Sequence, residues 1–235
     1  MQTDPRSWRP QAFGRRKPKD LLDPVVEPAW DGVRVLAHLV RGDVRLVDAD
    51  GIDLAAAHPE ITGELAAEAL AETMVVDGYL TDQALRTGIG ADFQSNEAPG
   101  MGEHMTQLFL GNRAAEHVGG RAQIPGRSTG RSVSQAEAEA AAEPVPIALV
   151  AIDLLWLDDD ILLEIPLLER KRLLESVLPE GARVRRTPFV REPATSFIVT
   201  WRGMGFGGLA YKEANSRYHP GAPNDDWSLI GMPRR

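Results

Sequence analysis

The stretch Glu27-Pro28-Ala29-Trp30-Asp31-Gly32-Val33-Arg34-Val35-Leu36-Ala37-His38-Leu39-Val40 decides how this chain is read. Asp31-Gly32 is a turn signal. From Val33 the pattern becomes extended, with Val33, Val35, Ala37 and Leu39 alternating with Arg34, Leu36, His38 and Val40. Arg41-Gly42-Asp43 supplies a second turn and residues 44–47 a second strand, so the region predicts an antiparallel hairpin. Position 29, just ahead of the first turn, carries only a methyl group, which cannot act as a nucleophile.

The rest of the chain extends this pattern. Pro59 followed by Ile61, Leu65, Ala69 and Leu70 predicts a helix with proline in its first turn. Residues 74–76 form a strand leading into an apparent turn at Asp77-Gly78. Residues 147–157 are an almost unbroken apolar run before Asp158-Asp159-Asp160, as expected of a strand buried on both faces. Pro166 opens an amphipathic helix that closes before Pro179 and carries Lys171 on a helix face. Residues 197–201 end another helix, and residues 208–212 and 227–230 are short strands. Residues 100–118 predict a helix with Met101, Met105, Leu108 and Phe109 on one face. Residues 119–143, Gly/Ser/Arg-rich and then Ala/Glu-rich, read as a mobile surface loop. Residues 1–23 are rich in Pro, Arg and Lys without periodicity and read as a basic arm, leaving residues 24–235 as the domain. Strands with interspersed helices and an antiparallel hairpin predict an α+β class.

A chain of 235 residues can bury a full core. It has no cysteine, which excludes a disulfide framework, a thiolate metal site and a cysteine nucleophile. No stretch approaches the roughly 20 apolar residues of a membrane span, and the N-terminus lacks the apolar core of a secretory signal, so a cytoplasmic protein is expected. The net charge of −8 opposes non-specific attraction to nucleic acid. Its distribution is uneven. Residues 1–46 carry nine basic and six acidic side chains, residues 181–235 nine and four, and residues 47–180 eight and twenty-four. The plainer reading is a solvated acidic surface; the rival one is a basic DNA-facing cleft between the two mildly basic segments. His38, His58, His104, His117 and His219 show no metal-ligand spacing, and Trp30, Trp156, Trp201 and Trp227 read as core or boundary aromatics.

Several segments, in order, resemble the adenylation (nucleotidyltransferase) domain of ATP-dependent DNA ligases, nearest the bacterial repair ligases. Glu27–Arg34 is similar to that family's Lys-x-Asp-Gly-x-Arg motif, and Val75-Val76-Asp77-Gly78-Tyr79-Leu80 to its Leu-Asp-Gly-Glu segment. Ala151-Ile152-Asp153-Leu154-Leu155-Trp156-Leu157-Asp158 resembles Phe-Asp-Leu-Leu-x-Leu-Asp, followed by Pro-Leu-x-x-Arg-Lys-x-x-Leu from Pro166. Gly207-Gly208-Leu209-Ala210-Tyr211-Lys212 resembles Glu-Gly-x-x-x-Lys, and Ser216-x-Tyr218-x-Pro220-Gly221 with Trp227-Ser228-Leu229-Ile230-Gly231 resembles the terminal motif. The resemblance implies a ligase-type, ATP-grasp-like fold, with antiparallel sheets flanked by helices around a cleft.

The departures concern the chemistry. Ala29 stands where the family has the lysine that carries AMP, Tyr79 where a glutamate holds the ribose, and Gly207 where a glutamate is associated with the divalent metal. Leu229 and Gly231 replace two lysines that engage the triphosphate, Ile152 replaces the aromatic on adenine, and Ala49 replaces an arginine after the hairpin. Glu27, Asp31, Gly32, Arg34, Asp77 and Lys212 are retained. The resemblance implies ATP and Mg²⁺ as the family's reactants. The losses imply that no cofactor or metal is used here, that the positions at 29, 79, 207, 229 and 231 are degenerate, and that Glu27, Asp31, Gly32, Arg34, Ile152 and Lys212 mark a vestigial nucleotide cleft.

The resulting expectation is an inactive ligase homologue with a binding or scaffolding role in DNA repair, its partners DNA ends, nicked DNA or repair proteins. The alternative is a residual ATP-dependent ligase or adenylyltransferase, active in repair and recombination through a displaced lysine, Lys212 first, or through a partner chain. A third reading is an interaction module whose acidic loop at 119–143 binds a basic partner. The chain ends at Arg235, and no oligonucleotide-binding (OB) barrel is expected after the terminal motif.

Overall fold

The computed structural model describes residues 4–88 and 145–232. The segment 100–118, read as a helix, and the loop at 119–143 lie outside the described residues.

Two antiparallel layers carry the architecture. The larger is built from β3 (Val33–Val40), β4 (Asp43–Asp48), β5 (Thr73–Thr81), β6 (Ala148–Leu157) and β7 (Asp160–Ile161), in the order β4-β3-β5-β6-β7, with β8 (Val184–Arg186) running parallel beside β6. The smaller has β2 (Pro24–Pro28), β9 (Val190–Arg191), β10 (Gly208–Glu213) and β12 (Trp227–Gly231), in the order β12-β10-β2-β9. β1 (Ala12–Phe13) pairs in parallel with β11 (Pro223–Asn224). The α-helices among the described residues are α1 (Pro59–Glu68), α2 (Gln83–Thr87), α3 (Leu167–Val177) and α4 (Thr195–Gly203).

The period of two along each strand partitions the core. On β3, Val35, Ala37 and Leu39 point to one side, where Ile61 and Leu65 of α1 and Leu174 of α3 meet them. Leu36 points to the other side, into an apolar cluster that includes Val25 of β2 and Trp227 of β12 on the facing side of the smaller sheet, and Val26, Leu209 and Tyr211 on that sheet's far side. β6 feeds both layers: Val150 and Ile152 belong to the inter-sheet core, while Leu149 and Ala151 belong to the helix-covered one. The unbroken apolar run is therefore a central strand covered on both faces, as its sequence predicted.

Two sequence readings need correction. Asp77-Gly78 is not a turn; it lies inside β5 at a register shift against β6. A Cβ on Gly78 would stand 2.6 Å from the Val150 carbonyl oxygen, so the glycine answers close backbone approach rather than a chain reversal. The N-terminal segment is also not a free arm. Trp8, Gln11 and Leu21 are buried, the Gln11 amide donates to the Tyr218 hydroxyl at 2.9 Å, and the Gln11 side-chain oxygen accepts from the His219 amide at 2.6 Å.

Buried polar groups tie these layers together. Asp153 of β6 and Arg170 of α3 form a bidentate pair, at 2.9 and 2.7 Å, with neither side chain exposed. Arg170 also donates to the carbonyls of Ile165 and Ser216, which satisfies a charge that would otherwise be costly inside the core. His38 on β3 is 5 % exposed, and its Nε2 has no partner. Burial, with Arg45 adding to it, pushes its pKa down from 6.5 to about 4. Such a histidine takes up its proton on unfolding, so stability is full above pH 6.5 and falls as pH drops toward 4. His38→Leu should remove on the order of 2 kcal/mol of the stability loss between pH 6.5 and 4.5. Urea unfolding at the two pH values measures this, and equal losses in both proteins would contradict it.

Candidate functional site

A cleft of about 280 Å³ opens on the inter-sheet side of the smaller sheet. The register of that sheet explains its make-up. On β10, Gly208, Ala210 and Lys212 share one face by the period of two, and their cross-strand partners on β12 are Gly231, Leu229 and Trp227. Glu27 of β2 lies opposite Ala210, so Lys212 is its diagonal neighbour. Tyr79 from β5 and Ile152 from β6 close the cleft from the larger sheet.

All five positions read as degenerate converge here: Ala29, Tyr79, Gly207, Leu229 and Gly231 line the cleft. So do Glu27, Asp31, Ile152 and Lys212, which the sequence also assigned to it. Gly32, Arg34 and Ala49 are not among the lining residues. Gly32 sits in the bend at φ +118, where a Cβ would stand 2.2 Å from the Leu80 carbonyl oxygen; its place is conformational. Arg34 is closed by Asp77, with Nε at 2.9 Å from Oδ1 and Nη2 at 2.6 Å from Oδ2. Burial works against its charge, but Asp77 outweighs that effect and holds the guanidinium pKa above its ordinary value. The Tyr218 hydroxyl donates to the same carboxylate at 2.7 Å.

The floor of the cleft is a buried ionic triad. Lys171 Nζ lies 2.6 Å from one oxygen of Glu27 and Lys212 Nζ 2.7 Å from the other, with all three residues at most 2 % exposed. Lys171 also donates to the Ile152 carbonyl at 3.0 Å and stands over the Phe189 ring, and Lys212 stands over Trp227 at 4.1 Å. Burial pushes the Lys212 pKa down from 10.5 to about 8; Glu27 opposes the shift and Lys171 adds to it.

Two participants were missed in the sequence. Phe13 lines the cleft from the segment read as an arm, and nothing in its Arg/Pro surroundings gives it a period. Lys171 was assigned to a helix face without a partner, yet Leu167, Arg170, Lys171 and Leu174 are spaced i, i+3, i+4, i+7 and all are buried on α3. That spacing was the available signal. Trp30, read as a core aromatic, is both: it is 7 % exposed, donates to Thr187 Oγ1 at 2.9 Å, and lines the cleft.

Few charged side chains face the cleft. The lining offers two carboxylates, Glu27 and Asp31, against one amine, Lys212, which Glu27 already holds. Among the described residues no group of three or more His, Cys, Asp or Glu side chains is placed to hold a metal ion. The altered positions are nonetheless not filled in. A Cβ on Gly207 would meet nothing within 4 Å, and one on Gly231 only the Gly207 carbonyl at 4.0 Å.

Two antiparallel layers around such a cleft define an α+β domain of the ligase nucleotidyltransferase type. The chain belongs to the ATP dependent DNA ligase domain family, whose model matches residues 19–229. It is 28 % identical over 209 residues to a probable DNA ligase of Streptomyces coelicolor, covering 87 % of this chain and 34 % of that one. It is 27 % identical over 223 residues to a probable DNA ligase of Streptomyces griseus, covering 90 % and 36 %. The chain thus spans about a third of the length of these curated relatives. Its fold is similar to the ligase domain of M. tuberculosis LigD, with a TM-score of 0.62 and 21 % identity, covering 97 % of this chain and 61 % of that one. A mycobacterial DNA ligase D complexed with ATP and MES matches with a TM-score of 0.61, 21 % identity and the same coverage. No helix among the described residues is long and apolar enough to cross a membrane.

Proposed function

We propose that this domain is a pseudoenzyme: a ligase-type adenylation domain that does not adenylate itself and serves a binding or scaffolding role in DNA repair and recombination, in the cytoplasm, on DNA ends, nicked DNA or a repair protein. One observation carries the reading. Five substitutions scattered from position 29 to position 231 meet in a single cleft, while the framework around it is intact. Asp153 still holds Arg170, Asp77 still holds Arg34, and Trp227 still donates to Ser216 at 3.0 Å. The chemical cost falls on the reaction alone. Without a nucleophile there is no covalent step. Without charge at positions 207, 229 and 231, nothing at those positions stabilises a metal or a leaving pyrophosphate.

The alternative, a residual ATP-dependent ligase or adenylyltransferase, has one observation in its favour. Lys212 lines the cleft and its pKa is lowered to about 8, so part of its amine is neutral near physiological pH. Against it, Nζ is committed to Glu27 and packed over Trp227, and the other losses stand.

Weak nucleotide binding is the testable consequence. Micromolar affinity corresponds to about −8 kcal/mol. Each lost charged contact costs roughly 1.5–3 kcal/mol where it was well formed. Losing a ribose contact, a metal-associated carboxylate and two phosphate lysines leaves millimolar binding at best. Calorimetry with ATP and Mg²⁺ measures it; a low-micromolar dissociation constant would overturn the reading.

A further inference from the structure

We infer that the cleft takes an uncharged, planar aromatic molecule of about nucleoside size and discriminates against its phosphorylated forms. This rests on the reading that the phosphate chemistry has been removed, and it assigns the cleft a ligand class of its own. Its walls are apolar and largely aromatic: Phe13, Trp30, Tyr79 and Ile152. Burial raises the Tyr79 phenol above its ordinary pKa, so this wall stays neutral. Its volume, about 280 Å³, sits at the lower edge of the range for small-molecule sites.

The floor supplies hydrogen bonding without surplus charge. The Lys212 ammonium has three donors, of which Glu27 takes one, and the carboxylate oxygens of Glu27 keep lone pairs beyond those met by the two lysines. A donor and an acceptor side by side suit the edge of a neutral heterocycle. Counting Lys171 behind the floor, two amines balance Glu27 and Asp31.

The mouth is where a phosphate would lie, and it is hostile to one. Leu229 is 52 % exposed there, beside Ile230 and the bare backbone of Gly207 and Gly231. Among the described lining residues, the formal charge at the rim is the exposed carboxylate of Asp31. Arg34 is closed by Asp77 and Lys171 by Glu27, so neither is available to an incoming anion. Bringing a phosphate out of water beside a carboxylate and a leucine, with no unpaired cation among the described lining residues, is unfavourable.

The test uses the full chain, with adenosine, AMP and ATP as probes, each with and without Mg²⁺, by calorimetry and thermal shift. Adenosine should bind at least tenfold more tightly than AMP or ATP, and Mg²⁺ should leave that order unchanged. A second measurement uses Leu229→Lys combined with Gly231→Lys, at exposed positions with room for the side chains. That variant should gain at least tenfold in ATP affinity relative to its affinity for adenosine. No adenosine binding at millimolar concentration overturns this inference and leaves the pseudoenzyme reading standing. ATP binding more tightly than adenosine in the unaltered chain overturns it as well, and low-micromolar ATP binding overturns both. An unchanged ATP affinity in the double variant would show that charge at the mouth does not set the selectivity, and would overturn it too.

Discussion

Ala29→Lys is expected to form no detectable covalent adenylate, although it restores the missing nucleophile. Ala29 is well placed to receive one. Its amide donates to the Gly208 carbonyl at 3.0 Å, and it lines the cleft beside Glu27 and Lys212. A new amine there would join two existing amines around one carboxylate. The rest of the machinery would still be absent, because Tyr79, Gly207, Leu229 and Gly231 each remove a different contact. Loss of one preorganised charge-stabilising donor costs about 10²–10³ in rate. Groups that act as a unit are strongly non-additive, so a nucleophile without them recovers almost nothing. Recovery should begin only when Gly207→Glu, Leu229→Lys and Gly231→Lys are added together with Tyr79→Glu, since positions 207 and 231 have open space. Incorporation of label from α-labelled ATP is the readout. Appreciable labelling of the single variant would show that the remaining cleft is functional.

The second large effect is on stability. Glu27→Ala should destabilise the domain by about 3–5 kcal/mol, because it leaves two buried ammonium groups without their counter-ion. Among the described residues, Lys171 keeps the Ile152 carbonyl and the Phe189 ring, and Lys212 the Trp227 ring. Against a typical total of about 5–15 kcal/mol, that is a large fraction. Replacing the whole triad at once, Glu27→Leu with Lys171→Met and Lys212→Met, should be neutral or even stabilising, since the desolvation of three charges disappears with their attraction. Urea unfolding followed by tryptophan fluorescence compares the two; Trp227 lies against Lys212 and reports on the site directly. A loss below about 1 kcal/mol in Glu27→Ala would mean that the triad is solvated rather than buried.

Local patterns carried most of the fold in the sequence. The alternation from Val33 gave β3 and the hairpin, the apolar run gave β6, and Pro166 with its following spacing gave α3. What failed was whatever depends on distant partners. Gly78 looks like a turn residue until β6 is laid beside it and the Val150 carbonyl occupies the space of a side chain. Trp8, Gln11 and Phe13 have no local period because what holds them lies some 200 residues away: Tyr218 and Asn224 meet Gln11, and Trp227 meets Phe13. The cleft was legible because its altered positions could be placed within motifs. Gly32 and Arg34 belong to the same motif as Ala29, but the geometry gives them supporting parts: one shapes the bend and the other is held by Asp77. Lys171 shows the opposite case: its spacing on the buried stripe of α3 was a local signal for a buried partner, but it was read only as a helix face.

A cleft that keeps its form without a covalent step should leave ATP unreacted. The most direct measurement is intact mass spectrometry of the unaltered chain after incubation with ATP and Mg²⁺, followed by peptide mapping of its four lysines, Lys17, Lys19, Lys171 and Lys212. The expected mass is unchanged by the incubation. A gain of one AMP, mapped to Lys212 or to either N-terminal lysine, would contradict it.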